Sequence, residues 1–296
     1  MRIGWAIKEQ RSGETGHRKR SFAPDVLTNP FLPAFLWARG ALAQKFPPFQ
    51  RLASTRQLFS PPYRACLANT KEERKAAFRL RFEVFNIELK EGLAAAFQTG
   101  EDTDRYDRYC DHIIVTDERT GRTVGTYRLQ TGTAAARHIG YYSEQEFDFA
   151  PYRILRDELV ELGRACIHPD HRGYEVLMLL WKSITHYAAD RKARYMIGCS
   201  SLSSQDPAEG RGVYSRLKPA LVTEALQTSP TPAYSLPPCE IQVDARPPKL
   251  LRTYLALGAK ICGPPAFDRE FKTIDFLTLM DLNNLTPSIR ARLFDS

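Results

Sequence analysis

The chain has 296 residues, 43% hydrophobic and 26% charged, values that suit a globular protein with one large core. Its formal net charge of +8 is uneven: residues 1–60 hold ten Lys/Arg against three acids, and the remainder is nearly neutral. That pattern argues against a nucleic-acid groove on the body and for a basic arm drawn to an anionic surface. No apolar run near Met1 reads as a secretory signal, and none reaches the ~18–20 residues that span a bilayer.

Residues 1–30 are polar, with the basic cluster His17-Arg-Lys-Arg20. From Phe31 to Phe59, aromatic and aliphatic residues interleave with Arg39, Lys45, Arg51 and Arg56, and prolines at 30, 33, 47 and 48 break the segment into short pieces. This mixture suits a membrane interface, or packing on the body or on a partner subunit. Residues 1–60 are therefore expected to be an extension that meets a membrane surface, and residues 61–296 the folded domain.

Lys71 to Leu89 carries apolar residues at helical spacing. An acid-rich loop follows from Glu101 to Asp111, and acidic loops are as a rule solvated. His112–Thr116 and Thr123–Gln130 read as a hairpin joined by Asp117-Glu-Arg-Thr-Gly121. Tyr141–Phe149 is a polar–aromatic connection, Val160–Ile167 a central strand, and Glu175–Arg191 an amphipathic helix. Tyr195–Ser201 is the next strand. Pro207–Thr228 reads as helical, Lys249–Leu257 as a helix stopped at Gly258, and Phe276–Met280 as the closing strand. Strands alternating with helices predict a mixed α/β (α+β) layer architecture.

The most informative stretch is Glu161-Leu-Gly-Arg-Ala-Cys-Ile-His-Pro-Asp-His-Arg-Gly173. A strand that turns into a helix presents unpaired N–H groups and a positive dipole end, which together cradle phosphate. Cys166, Ile167, His168, Arg172 and Gly173 are the candidate cradle. Glu161 and Arg164 stand three apart, so they point to opposite faces unless a bulge intervenes. Cys66, Cys110, Cys166, Cys199, Cys239 and Cys262 form no CxxC pair, so zinc and thioredoxin readings are weak and no metal site is expected; no permanently bound cofactor is expected either. Cys166 or Cys199 could form an acyl-enzyme, but no pattern supplies an activating His.

The order of elements resembles the GNAT acyltransferase fold: a mixed sheet, flanked by helices, whose central strand splays from its neighbour at the acyl-thioester site. The phosphate loop departs from the usual Arg/Gln-x-x-Gly-x-Gly/Ala, keeping only Arg172 and Gly173. Over roughly residues 65–282 the match sharpens through Arg81-Phe-Glu-Val-Phe85, Asp107-x-x-Cys110-Asp-His112, Gly125-Thr-Tyr-Arg-Leu129, Glu161-Leu-Gly-Arg164, Gly198-Cys-Ser-Ser201 and Pro247-Pro-Lys-Leu-Leu251. These motifs together resemble the bacterial ornithine-lipid N-acyltransferases, often labelled hemolysin-like and similar in fold to acyl-homoserine lactone synthases.

The resemblance implies transfer of a 3-hydroxyacyl group from acyl carrier protein, or from acyl-CoA, to the α-amine of an amino acid, ornithine foremost. Such chemistry needs a base, for which Glu161 is the candidate. It needs oxyanion donors, expected from backbone N–H groups around Cys166 and Ile167. It also needs a holder for the substrate carboxylate, for which Arg81, Arg128 and Arg164 are available. Phe85 belongs to the same motif set, and Asp107 and Asp111 are candidates by type for a second amine. The implied setting is the cytoplasm, at the inner face of the membrane. A synthase of a soluble N-acyl signal and a membrane-active protein without catalysis stay open.

Overall fold

The computed structural model describes residues 3–4, 58–239 and 243–294. The expected membrane-facing arm falls almost wholly outside the described residues. Among those described, one ten-stranded sheet forms the body. β2 (Leu58–Ser60) and β3 (Tyr63–Leu67) begin one edge. β4 (Asp111–Asp117) and β5 (Arg122–Thr131) form the expected hairpin, closed at Asp117 by bonds from the Thr120 and Gly121 amides. β6 (Leu159–Ile167) is central, buried at every position. β7 (Tyr195–Leu202) and β10 (Thr273–Asp281) complete the run, with β8 (Lys260–Ile261) and β9 (Ala266–Asp268) on β10.

Neighbouring strands of this main path run antiparallel except β6 and β7, which are parallel. Those two pair only over Leu159–Glu161 against Tyr195–Ile197 and then part. Beyond the parting, β1 (Ile3–Gly4) lies parallel to Ala165 and Cys166 of β6.

Two helical layers cover the sheet. α1 (Lys71–Arg81) starts at a capping box: Thr70 Oγ1 accepts from the Glu73 amide and the Glu73 carboxylate accepts from the Thr70 amide. It continues as a π-helical turn, Phe82–Glu88, which rotates Val84 and Phe85 onto β6, where they pack with Cys166. The opposite face carries α3 (Tyr174–Asp190), whose Val176, Leu179, Leu180 and Ile184 meet Val160, Leu162, Ala165 and Ile167. The short α2 (Gly132–Arg137) follows β5.

Three expectations differ from the fold. The helix expected over 207–228 ends early: α4 is Pro207–Leu217, because Pro219 removes a donor and the chain passes into short 3₁₀ turns. β10 does not close the chain, since α6 (Pro287–Phe294) follows and packs Leu293 into the α3-side core. The acid loop is not a solvated face, as Asp102 and Asp107 are buried beneath arginines. α5 (Lys249–Ala256) ends as read, with Gly258 in the left-handed region at φ +101°. Among the described residues, no helix is long and apolar enough to cross a membrane.

Candidate active site

A bulge in β6 organises the site. Arg128 of β5 pairs with Gly163 and Thr126 with Cys166, so Arg164 and Ala165 share the space of one residue. Arg164 takes φ +47° to fit. Before the bulge Val160 and Leu162 face α3; after it Ala165 and Ile167 do. The extra residue therefore turns Arg164 to the face already occupied by Glu161. Strict alternation would have separated them.

On that face the acid loop meets three buried guanidinia. Arg81 binds Asp107 through two parallel bonds, 2.7 and 3.0 Å, and Asp102 through Nε at 2.9 Å. Arg128 Nη1 reaches Asp104 at 2.6 Å and Asp107 at 3.2 Å. Burial pushes the Asp107 carboxyl up, but Arg81 and Arg128 more than reverse this and hold it well below the usual carboxylate range. Burial pushes the neighbouring His112 down to about 4, so its imidazole is neutral.

Arg164 differs from the other two arginines. It is fully buried, stacked 4.6 Å from the Phe271 ring and 5.8 Å from Phe85. Asp102 and Asp104 lie 3.5 and 3.6 Å away, yet Nε, Nη1 and Nη2 make no hydrogen bond. Arg164 is thus ion-paired with Asp102 and Asp104 while its N–H donors make no hydrogen bond.

Glu161 accepts the backbone amides of Tyr142 (2.9 Å) and Ser143 (2.8 Å). Burial pushes its carboxyl up, while the Ser143 and Tyr142 bonds and Arg128 work the other way. Ser143 Oγ lies 3.5 Å from Cys199 Sγ, which lies 3.6 Å from Glu146 Oε2. Burial also pushes both the Cys166 and Cys199 thiols up, so neither is a ready thiolate.

The structure gathers Arg81, Phe85, Asp107, Arg128, Glu161 and Arg164 on one side of β5 and β6. Cys166 follows on the same face and Ile167 faces α3. Asp111 stands apart, bonded to Tyr187 Oη and Arg191 at 2.9 Å each. The turn His168–Gly173 leads into α3, whose N-cap, Gly173, supplies no side-chain cap. Arg172 pairs with Glu88 at 2.5 and 2.7 Å and bonds the Ile167 carbonyl. His168 Nδ1 accepts the Asp170 amide, and His171 Nδ1 meets Tyr63 Oη at 3.0 Å. An apolar slot opens where β6 and β7 part, lined by Tyr127, Leu162, Trp181, Gly198, Cys199 and Tyr254.

Sequence reading did not single out Asp102, Asp104, Tyr142, Ser143, Glu146, Asp268 or Asp275. Asp275 offered one signal, a charge within the apolar strand Thr273–Asp281. Glu146, Asp268 and Asp275 are scattered in the chain, but their carboxylates lie within 4.8 Å of one another, all buried.

A profile described as Acetyltransferase (GNAT) domain matches residues 80–182. An L-ornithine N(alpha)-acyltransferase of Brucella abortus is 31% identical over 240 residues, covering 74% of this chain and 84% of that one. One from Rhodobacter capsulatus is 31% identical over 243 residues, covering 77% of this chain and 93% of that one. Among solved structures, the AHL synthase LasI is 11% identical at a TM-score of 0.46, covering 78% of this chain and 94% of that one.

Proposed function

The chain belongs to the family of L-ornithine N(alpha)-acyltransferases, and from that premise we propose how its site performs the reaction. It is an acyltransferase that acylates the α-amine of ornithine. The amine nitrogen attacks the thioester carbonyl, the new C–N bond forms, the C–S bond breaks, and the thiol leaves with a proton. The ammonium must lose a proton first.

Glu161 is the proposed base. It sits at the last paired position before β6 and β7 part. Two backbone amides use one lone pair on each of its oxygens, and each oxygen keeps another. Its raised pKa brings it nearer to working pH. Arg164 is the proposed carboxylate receptor, and its unmet donors are the single observation that carries this reading. Arg81, Arg128, Asp102, Asp104 and Asp107 set its surroundings.

The donor is proposed to be acyl carrier protein, its phosphopantetheine arm an extended amide chain. Such an arm suits the β6 edge around Ala165–Ile167, which β1 lines in this structure, so residues 3–4 would have to move aside. Its phosphate would meet the amides at Gly173 and Tyr174, and the fatty chain the apolar slot. Residues 1–60 are proposed to hold the enzyme at the membrane that receives its lipid product.

Full-length protein with 3-hydroxypalmitoyl acyl carrier protein and ornithine is expected to yield the N-acyl product, read by mass spectrometry. Glu161→Gln should lower kcat by about 10²–10⁴. That change also leaves one backbone amide facing a donor, so melting temperature is measured alongside. A folded variant within tenfold of wild type removes the base assignment.

A further inference from the structure

We propose that Gln130 holds the attacking amine beside Glu161, its carboxamide oxygen accepting the one N–H that survives in the product amide. This deepens the proposed ornithine reaction and rests on it.

Register places the side chain. Gln130 of β5 lies directly opposite Glu161 of β6, and Arg128 lies opposite Gly163. Residues two apart on a strand share a face, and so do residues paired across two strands. Tyr127 and Leu129 of β5 meet the α3-side core. Arg128 and Gln130 therefore stand with Glu161 and Arg164 on the other face.

Gln130 is 2% exposed, and its Nε2 donates to the Gly140 carbonyl at 3.2 Å. A carbonyl oxygen only accepts, so this bond fixes which way the amide lies and turns Oε1 away from Gly140. Oε1 is buried and has no hydrogen-bond partner. One loop thus holds both side chains: the Gly140 carbonyl takes Gln130, and the Tyr142 and Ser143 amides bind Glu161. A buried carboxamide oxygen left unpaired opposite the proposed base is a ready acceptor for an N–H.

The unmet groups are also sorted along the strands. At one end Arg128 Nη2 and the Arg164 Nε, Nη1 and Nη2 make no hydrogen bond. Two residues on along β5, Gln130 Oε1 lacks a donor, and beside it each Glu161 oxygen keeps a lone pair. Donors at one end and acceptors at the other match the carboxylate and the ammonium of a zwitterionic amino acid.

The protons of the reaction give Gln130 a task distinct from that of Glu161. An α-ammonium has three. Glu161 takes one, which frees the lone pair for attack on the thioester carbonyl. The C–N bond forms, the C–S bond breaks, and a second proton leaves with the thiol. The third stays on the amide nitrogen, so its bond to Gln130 Oε1 lasts from bound amine to product. Held by that bond, the nitrogen keeps its lone pair aimed at the carbonyl carbon.

The experiment compares ornithine with Nα-methylornithine, whose product amide has no N–H, in full-length wild type, Gln130→Leu and Gln130→Glu. Wild type should favour ornithine by about 100-fold or more in kcat/KM, because a site that binds an N–H rejects the analogue lacking it. In Gln130→Leu, ornithine should lose roughly 10–100-fold and the methylated analogue little, so the preference collapses. Gln130→Glu sets a second carboxylate opposite Glu161, so the acid limb of kcat should move up by about one unit or more. Melting temperature is recorded for both variants, since each alters the bond to Gly140; if Gln130→Leu does not fold, Gln130→Glu decides alone. A packing role lowers both substrates together and leaves the acid limb in place, and that result refutes the inference. Equal use of both substrates by wild type refutes it too, with the acyltransferase reading intact. No product from ornithine in folded wild type overturns the parent reading.

Discussion

Replacing Arg81 by Met tests whether the buried ion network is held by its charges. Arg81 is fully buried, and the substitution leaves Asp102, Asp104 and Asp107 facing Arg128 and Arg164. Removing one partner from a buried pair costs about 3–5 kcal/mol, because the remaining charge has lost both water and counter-ion. With about 2–4 °C per kcal/mol for a domain of this size, the melting temperature should fall by roughly 10 °C. The pH dependence carries the sharper test. In the wild type Asp107 is held below its unfolded pKa, so its stabilisation is present above the unfolded value near 3.8 and is lost as pH falls below it. In the variant the Asp107 pKa rises and that contribution is already gone. Urea unfolding of both proteins should show a wide gap that holds from pH 7 down to about pH 4 and narrows only below it, toward the depressed Asp107 pKa. Asp107→Asn in the variant background should recover part of the loss, since it removes the uncompensated charge. A gap below about 1 kcal/mol at pH 7, or one that already shrinks between pH 7 and pH 5, would refute the electrostatic account.

Thr70→Ala removes the N-cap of α1 and should cost about 1 kcal/mol in urea unfolding, with the acyl-transfer rate kept. Gly212→Ala should cost roughly 1–3 kcal/mol, because a Cβ there would run into the Val243 carbonyl oxygen and the backbone would have to shift. An unchanged melting temperature would show that the 243–245 segment yields freely.

The longer central elements were legible because each announces itself locally, whereas β2, β3, β8, β9, α2 and α6 were not read. Apolar residues at helical spacing mark α1, Asp117 to Gly121 closes a hairpin, Gly258 stops α5, and β6 is an apolar run. Glu161 and Arg164 were visible as charges that such a run cannot bury without partners. Three matters were not legible. Whether the two share a face depends on one bulge, a backbone event that pairing with β5 imposes and residue type does not encode. Whether the acid loop is solvated depends on three arginines from α1, β5 and β6 arriving above it. The acid cluster draws on residues 146, 268 and 275, brought together only because β9 and β10 stack beside β7 while the Tyr142–Glu146 turn folds over that face. Local pattern determined the elements, since propensity and capping act over a few residues. Tertiary structure decided the site, since its charges find their partners only across the sheet.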